Sequence, residues 1–320
     1  MRRLLIVLIG IVLVTSVSAF PTARATGSPS LPLTEILFDS NRTGNYELYA
    51  MGTDGGEPRQ ITENPAYDSW WPKLSPDRTQ IMFHRTPKGT HDRDYTKTSI
   101  WMVGVDGRGL REVVPNGAFG WELLGHPEWS PDGTEIVVFA GPLRAPQIQI
   151  LDADGTAPRA VTQRVGQNLD PSWSPDGQSI LFVGCPGSIC PHTSYEIYRI
   201  RRDGSGETRL TRDQMRDHDP YYSPDGTRIA WLRLGANWGI SSMAADGSDQ
   251  RTVISDLNIN SKPGWAVDGS WIYFHRTPVG RLGFNVFKIR PDGTDLRELL
   301  PRPLIGFGPY DNEYPVHGPL

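Results

Sequence analysis

The stretch Ser172-Trp173-Ser174-Pro175-Asp176-Gly177-Gln178-Ser179-Ile180-Leu181-Phe182-Val183 decides the fold. Proline presets φ for a turn and glycine accepts the positive φ that a tight hairpin demands, so Pro175-Asp176-Gly177 reads as a hairpin turn. The apolar run after it reads as a strand buried on both faces. The unit recurs as Lys-Leu-Ser-Pro-Asp-Arg at 73–78, Glu-Trp-Ser-Pro-Asp-Gly at 128–133, Tyr-Tyr-Ser-Pro-Asp-Gly at 221–226 and Gly-Trp-Ala-Val-Asp-Gly at 264–269. A second Asp-Gly turn begins at Asp54, Asp106, Asp154, Asp203, Asp246 and Asp292. Equivalent positions lie about 43 to 55 residues apart, the period of propeller blades.

Each copy carries the same grammar. A strand A leads into the Ser-Pro-Asp-Gly turn, and an apolar strand B follows. After a loop comes an alternating strand C such as Glu196-Ile197-Tyr198-Arg199-Ile200, and the Asp-Gly turn returns the chain into a short strand D. The B, C and D segments occur from Ile36, Ile81, Ile136, Ile180, Ile229 and Ile272, but only the last five are preceded by a strand A. Pro315, within Glu313–Gly318, aligns with Pro72, Pro127, Pro171, Pro220 and Pro263. The expected fold is therefore an all-β, six-bladed β-propeller of four-stranded antiparallel blades. Its ring is closed by the C-terminal strand joining the N-terminal blade, which removes the free sheet edges between them.

The Pro-x-Trp-Ser-Pro-Asp-Gly strands, together with Asp-Ser-Asn-Arg-Thr-Gly-Asn-Tyr-Glu-Leu-Tyr at 39–49 and Arg-Gln-Ile-Thr at 59–62, resemble the TolB-like six-bladed β-propeller repeat family. The resemblance covers roughly residues 33 to 320 and implies a bacterial propeller with a binding role. It departs from TolB itself in that no separate N-terminal α/β domain is expected before the propeller. Similar propellers precede the catalytic domain of prolyl oligopeptidase-type enzymes, and no such domain is expected here.

Arg2 and Arg3, the apolar Leu4 to Val14 and the small residues Val17-Ser18-Ala19 read as a secretory leader, with Ala23-Arg24-Ala25 as a second cleavage site. The apolar stretch is shorter than the roughly 20 residues that span a bilayer, which argues against the rival reading, an uncleaved anchor. Residues 1–25 are expected to form leader and linker and 26–320 a single domain. The mature chain would be exported to the periplasm, cell envelope or extracellular space, monomeric and without a membrane span. The sequence holds 32 Lys and Arg against 36 Asp and Glu, and loses two arginines with the leader. Its basic residues are scattered, so nucleic acid is not an expected partner. The only cysteines, Cys185 and Cys190, sit close together in one loop. In an exported chain they read as a local disulfide, with a free pair or a metal site as the alternatives.

Strands in a blade alternate in direction, so the A–B and C–D hairpins share one face. The longer and more varied B–C and D–A connections share the other. Varied loops on a repeated frame are where recognition is usually placed. Residues just before each strand-A proline should ring the channel mouth on that face, and Trp71, His126, Asp170, His218, Asp219, Lys262, Glu313 and Tyr314 are the candidate binding residues. They suit a protein, peptide or carbohydrate ligand; each could instead merely cap a strand end. No cofactor is called for. The nucleophile elbow, the His-Glu-x-x-His motif and the phosphate-cradling glycine loop are absent, so no catalytic residue is assigned. The alternative is a carbohydrate- or peptide-directed hydrolase or lyase with an acid-base pair at the mouth, or a metal held by His126, Asp170, His218 and Asp219. Trp129, Trp173 and Trp265 read as anchors between blades. His91-Asp92-Arg93-Asp94-Tyr95, in the longest B–C loop, reads as a charged, solvated loop, with contact to a partner as the alternative. The twin segments Phe83–Pro87 and Phe274–Pro278 suggest a shared structural task.

Overall fold

A computed structural model describes residues 29–185, 195–213, 215–279 and 283–300, and the backbone of Asn312–Val316. They form six four-stranded antiparallel sheets. Blade one takes its B, C and D strands from Glu35–Ser40, Glu47–Gly52 and Arg59–Gln60. In blades two to six, strand A is Tyr67–Leu74, Leu123–Trp129, Asn168–Trp173, Arg216–Tyr222 and Ile259–Trp265. Strand B is Gln80–Pro87, Glu135–Gly141, Ser179–Gly184, Arg228–Leu234 and Ile272–Thr277, and strands C and D follow each in turn. Asn312–Val316 supplies strand A of blade one, pairing antiparallel with Glu35–Ser40, Leu37 opposite Val316 and Ser40 opposite Asn312. The ring closes as the repeat phase predicts.

The apolar runs of strand B are explained by what lies on either side. Leu37 and Leu48 of blade one pack with Ile81 and Phe83 of blade two. Ile36 and Phe38, their neighbours along the same strand, pack against Tyr273 and Val286 of blade six. Alternate side chains thus enter two different interblade cores, so Ile36, Leu37 and Phe38 are all withdrawn from water, and burying each large aliphatic contributes about 1.5–3 kcal/mol. The other four interblade seams are filled in the same manner. Trp173 is buried in one of them, and Trp265 lies against another while donating its Nε1–H to Tyr221 O at 3.1 Å.

The turns repeat atom for atom. In Ser130-Pro131-Asp132-Gly133 the aspartate Oδ1 accepts from Ser130 Oγ at 2.6 Å and from the Thr134 amide at 3.0 Å, while Ser130 Oγ accepts from the Glu135 amide at 2.9 Å. Asp77, Asp176 and Asp225 do the same. Turn chemistry accounts for the motif without a bound ion. In the C–D turns, a Cβ placed on Gly155 would run into the Val113 carbonyl of the preceding blade. Gly107 meets Ile61 O, Gly293 meets Val253 O and Gly55 meets Leu299 O in the same way, the last across the closing seam. These glycines also have φ near +90°, which only glycine adopts freely.

The leader and Cys190 lie outside the described residues. Cys185 is buried and no free cysteine is found among the described residues. No described helix is long and apolar enough to cross a membrane.

Candidate functional site at the channel mouth

Strand A of each of blades two to six breaks register at one place: between Trp70 and Lys73, Gly125 and Glu128, Leu169 and Ser172, His218 and Tyr221, and Ser261 and Gly264. The residue before the proline carries the distortion, with left-handed φ of 58° at Trp71, 48° at His126, 50° at Asp170, 50° at Asp219 and 55° at Lys262. Such a bulge leaves one residue unpaired and re-aims its side chain. Proline, which has no amide hydrogen to lose, suits the next position. A non-glycine residue held there costs about 1–3 kcal/mol, so something must hold it. Acceptors from the neighbouring blade do so: Asp39 Oδ1 takes the Trp71 amide at 3.4 Å, His84 Nε2 the His126 amide at 2.9 Å, and Asp170 Oδ2 the Asp219 amide at 3.4 Å.

The bulges bring Trp71, His126, Asp170, His218, Asp219 and Lys262 together. Asp170 lies between two imidazoles, its Oδ1 2.7 Å from His126 Nδ1 and its Oδ2 2.8 Å from His218 Nδ1. Burial pushes the Asp170 carboxyl up, but the two histidines outweigh it and hold the group well below the ordinary range. Arg216 Nε donates to His218 Nε2 at 2.7 Å, which leaves the His218 proton on Nδ1, facing Asp170. Trp71 stacks on His126 with centroids 3.8 Å apart, and Lys262 Nζ lies 4.7 Å above the Trp71 ring. Asp219 is 2% exposed, and neither of its carboxylate oxygens has a hydrogen-bond partner. Lys262 Nζ stands 3.5 Å from its Oδ2. Burial lifts the Asp219 carboxyl above its ordinary range, against the pull of Lys262.

The charged loop of blade two is not a solvated excursion. His91 is buried, stacks on Tyr46 at 3.5 Å and meets Asp39 Oδ2 through Nε2 at 3.2 Å. Burial holds His91 down at about 3, so it is neutral and donates that Nε2–H. Tyr95 starts a short 3-10 turn capped by Asp94, whose side chain accepts from the Thr96 amide. Its hydroxyl donates to Asp92 Oδ1 at 2.5 Å and lies 2.7 Å from His126 Nε2. The loop therefore folds over the mouth and touches blades one and three. Nothing in its spacing gave this away, because its partners come from other blades. A deeper ring was legible in period-two alternation along strand A: two residues past the bulges, Lys73 Nζ binds Glu128 Oε2 at 2.7 Å and Tyr221 OH at 2.9 Å. The Glu313 and Tyr314 side chains lie outside the described residues. The twin segments do occupy equivalent places, His84 opposite Trp70 and His275 opposite Ser261.

Fold and mouth define a six-bladed propeller with a polar, aromatic-walled channel entrance. The model of the TolB beta propeller domain matches residues 93–301, and the chain belongs to that family. A protein TolB homolog of Chlorobium luteolum is 32% identical over 160 residues, which are 49% of this chain and 33% of that protein. This chain thus spans about a third of the length of the curated relatives it matches. The crystal structure of TolB from Acinetobacter baumannii superposes with a TM-score of 0.71 at 18% identity, over 90% of this chain and 67% of that one. The putative TolB from Agrobacterium tumefaciens gives 0.65 at 20% identity, over 89% and 92%. At these identities the likeness is one of fold.

Proposed function

We propose that the chain is an exported binding module that receives a protein, peptide or carbohydrate ligand at the loop face, with the channel mouth as its centre. The observation that carries this reading is the set of five bulges: one backbone geometry, repeated blade after blade, presents Trp, His, Asp, Asp and Lys at equivalent points. A fixed frame with chemically different side chains is what recognition needs and what a purely structural ring does not. Lys262 and Trp71 offer a cation and an aromatic face, and the blade-two loop is the element a ligand would meet first. The leader supports export, and the TolB relatives support a protein ligand over a sugar.

The test is a melting-temperature screen of the purified protein against short peptides and envelope sugars, because a ligand that favours the native state adds stability by mass action, about 2.7 kcal/mol at a hundredfold excess over Kd. A hit that disappears in Trp71→Ala or Lys262→Ala, with no turnover of the ligand, supports the reading. Hits untouched by both substitutions would move the site elsewhere on the blades. A second reading, a hydrolase or lyase, is favoured by the contiguous Tyr95, His126, Asp170 and His218 array of proton carriers. It requires turnover that Asp170→Asn abolishes.

A further inference from the structure

The hydrogen bonds around His126 leave a contact that the neutral ring does not explain. Tyr95 has one hydroxyl hydrogen, and it goes to Asp92. The Tyr95 oxygen, 2.7 Å from His126 Nε2, must then accept, which puts a hydrogen on Nε2 and a lone pair on Nδ1 in the neutral ring. That lone pair faces Asp170 Oδ1 at 2.7 Å. The oxygen belongs to a carboxylate whose other arm already accepts from His218 Nδ1. Two acceptors at that distance repel unless a proton or a metal ion joins them.

A second observation is independent of the first. Asp219 turns a buried carboxylate with no hydrogen-bond partner toward the same point. One donor atom each from His126, Asp170 and Asp219 lie within 4.8 Å of one another. We propose that His126 Nδ1, Asp170 Oδ1 and Asp219 bind one divalent first-row transition-metal ion, of the Mn²⁺, Co²⁺ or Zn²⁺ class. The imidazole nitrogen selects this class over Ca²⁺, which takes oxygen ligands. Two carboxylates balance the ion's charge, and three protein ligands leave a coordination position for water or a ligand group. Tyr95 and Asp92 are positioning residues: they hold His126 in the tautomer whose Nδ1 can coordinate, the usual role of a partner on the far ring nitrogen. His218 and Arg216 orient Asp170 in the same way. In the other acidic cluster, Glu196, Asp213 and Asp217 are each held by a guanidinium, of Arg209 or Arg233, at 2.6–3.0 Å, whereas Asp219 meets a single ammonium, Lys262 Nζ, at 3.5 Å.

The inference does not depend on partner binding and is read without a partner. The purified protein is stripped with chelator and titrated with Co²⁺ by visible absorption, and with Zn²⁺, Mn²⁺ and Ca²⁺ by calorimetry. One equivalent should bind, with Co²⁺ d–d bands and with Zn²⁺ or Mn²⁺ favoured over Ca²⁺. Asp219→Asn, which keeps the shape and removes a buried charge, should weaken binding at least about tenfold, the loss expected of a ligand or its orienting partner. Tyr95→Phe should weaken it about 10- to 100-fold while the stripped protein keeps its melting temperature. Absence of binding below about 100 μM in natively folded protein overturns the proposal. Binding that is indifferent to both substitutions, or that prefers Ca²⁺, overturns it too.

Discussion

At the level of single side chains, the mouth shows how a buried charge is tolerated. Asp170 accepts from His218 Nδ1 through one oxygen and sets the other against His126 Nδ1, and removing it would leave the His218 proton and the Asp219 amide without their acceptor. Breaking such a buried pair costs about 3–5 kcal/mol, so Asp170→Leu should lower stability by that order in urea melts. His91 gives a pH dependence. Its value in the fold is held near 3 against an ordinary 6.5. Above pH 6.5 neither state carries the proton. As pH falls from there towards 3, the unfolded chain takes up a proton that the folded chain refuses, and stability declines by about 1.4 kcal/mol per pH unit. His91→Gln should flatten that slope between pH 6 and pH 4, measured as the difference between paired urea melts. The candidate residues themselves were legible because the strand-A proline marks the same register in every blade. Their partners were not: Tyr95 reaches His126 across 31 positions of chain and a blade boundary, and no periodicity encodes that path.

At the level of elements, turns and bulges impose more than strands do. Strand B needs only to be apolar, whereas Gly155 must lack a Cβ because Val113 O occupies its place and because its φ is 86°. Gly155→Ala should therefore destabilise the protein by more than the ~1 kcal/mol typical of a glycine change, and a fall in melting temperature would check it. The Asp-Gly turns were read correctly as hairpins, yet their packing on the preceding blade was invisible, since it depends on how far one sheet is rotated from the next. The bulges were equally hidden. A proline in strand A marks a place where no amide is needed, but the left-handed residue before it follows only from acceptors such as Asp39 and His84 that reach over from the neighbouring blade.

For the molecule as a whole, the six seams make stability a sum of neighbouring contacts, with the closing seam as the one that joins distant parts of the chain. Removing Asn312–Val316 would expose the Glu35–Ser40 edge, and the truncated chain should melt earlier and associate through that edge, visible by light scattering. The repeat count and the phase of the last strand made this closure readable before any coordinates, because a ring with one missing strand A has one place to find it.

That closure also sets how the molecule answers to mechanical load. Glu35 and Val316 lie at the same end of an antiparallel pair, with Leu37 opposite Val316. Traction on the two chain ends therefore opens the ladder bond by bond, as a zipper yields, and never loads all its hydrogen bonds in shear. A tether on either terminus would find the ring's weakest direction, whereas a pull applied through the mouth is shared among the bulges of several blades at once.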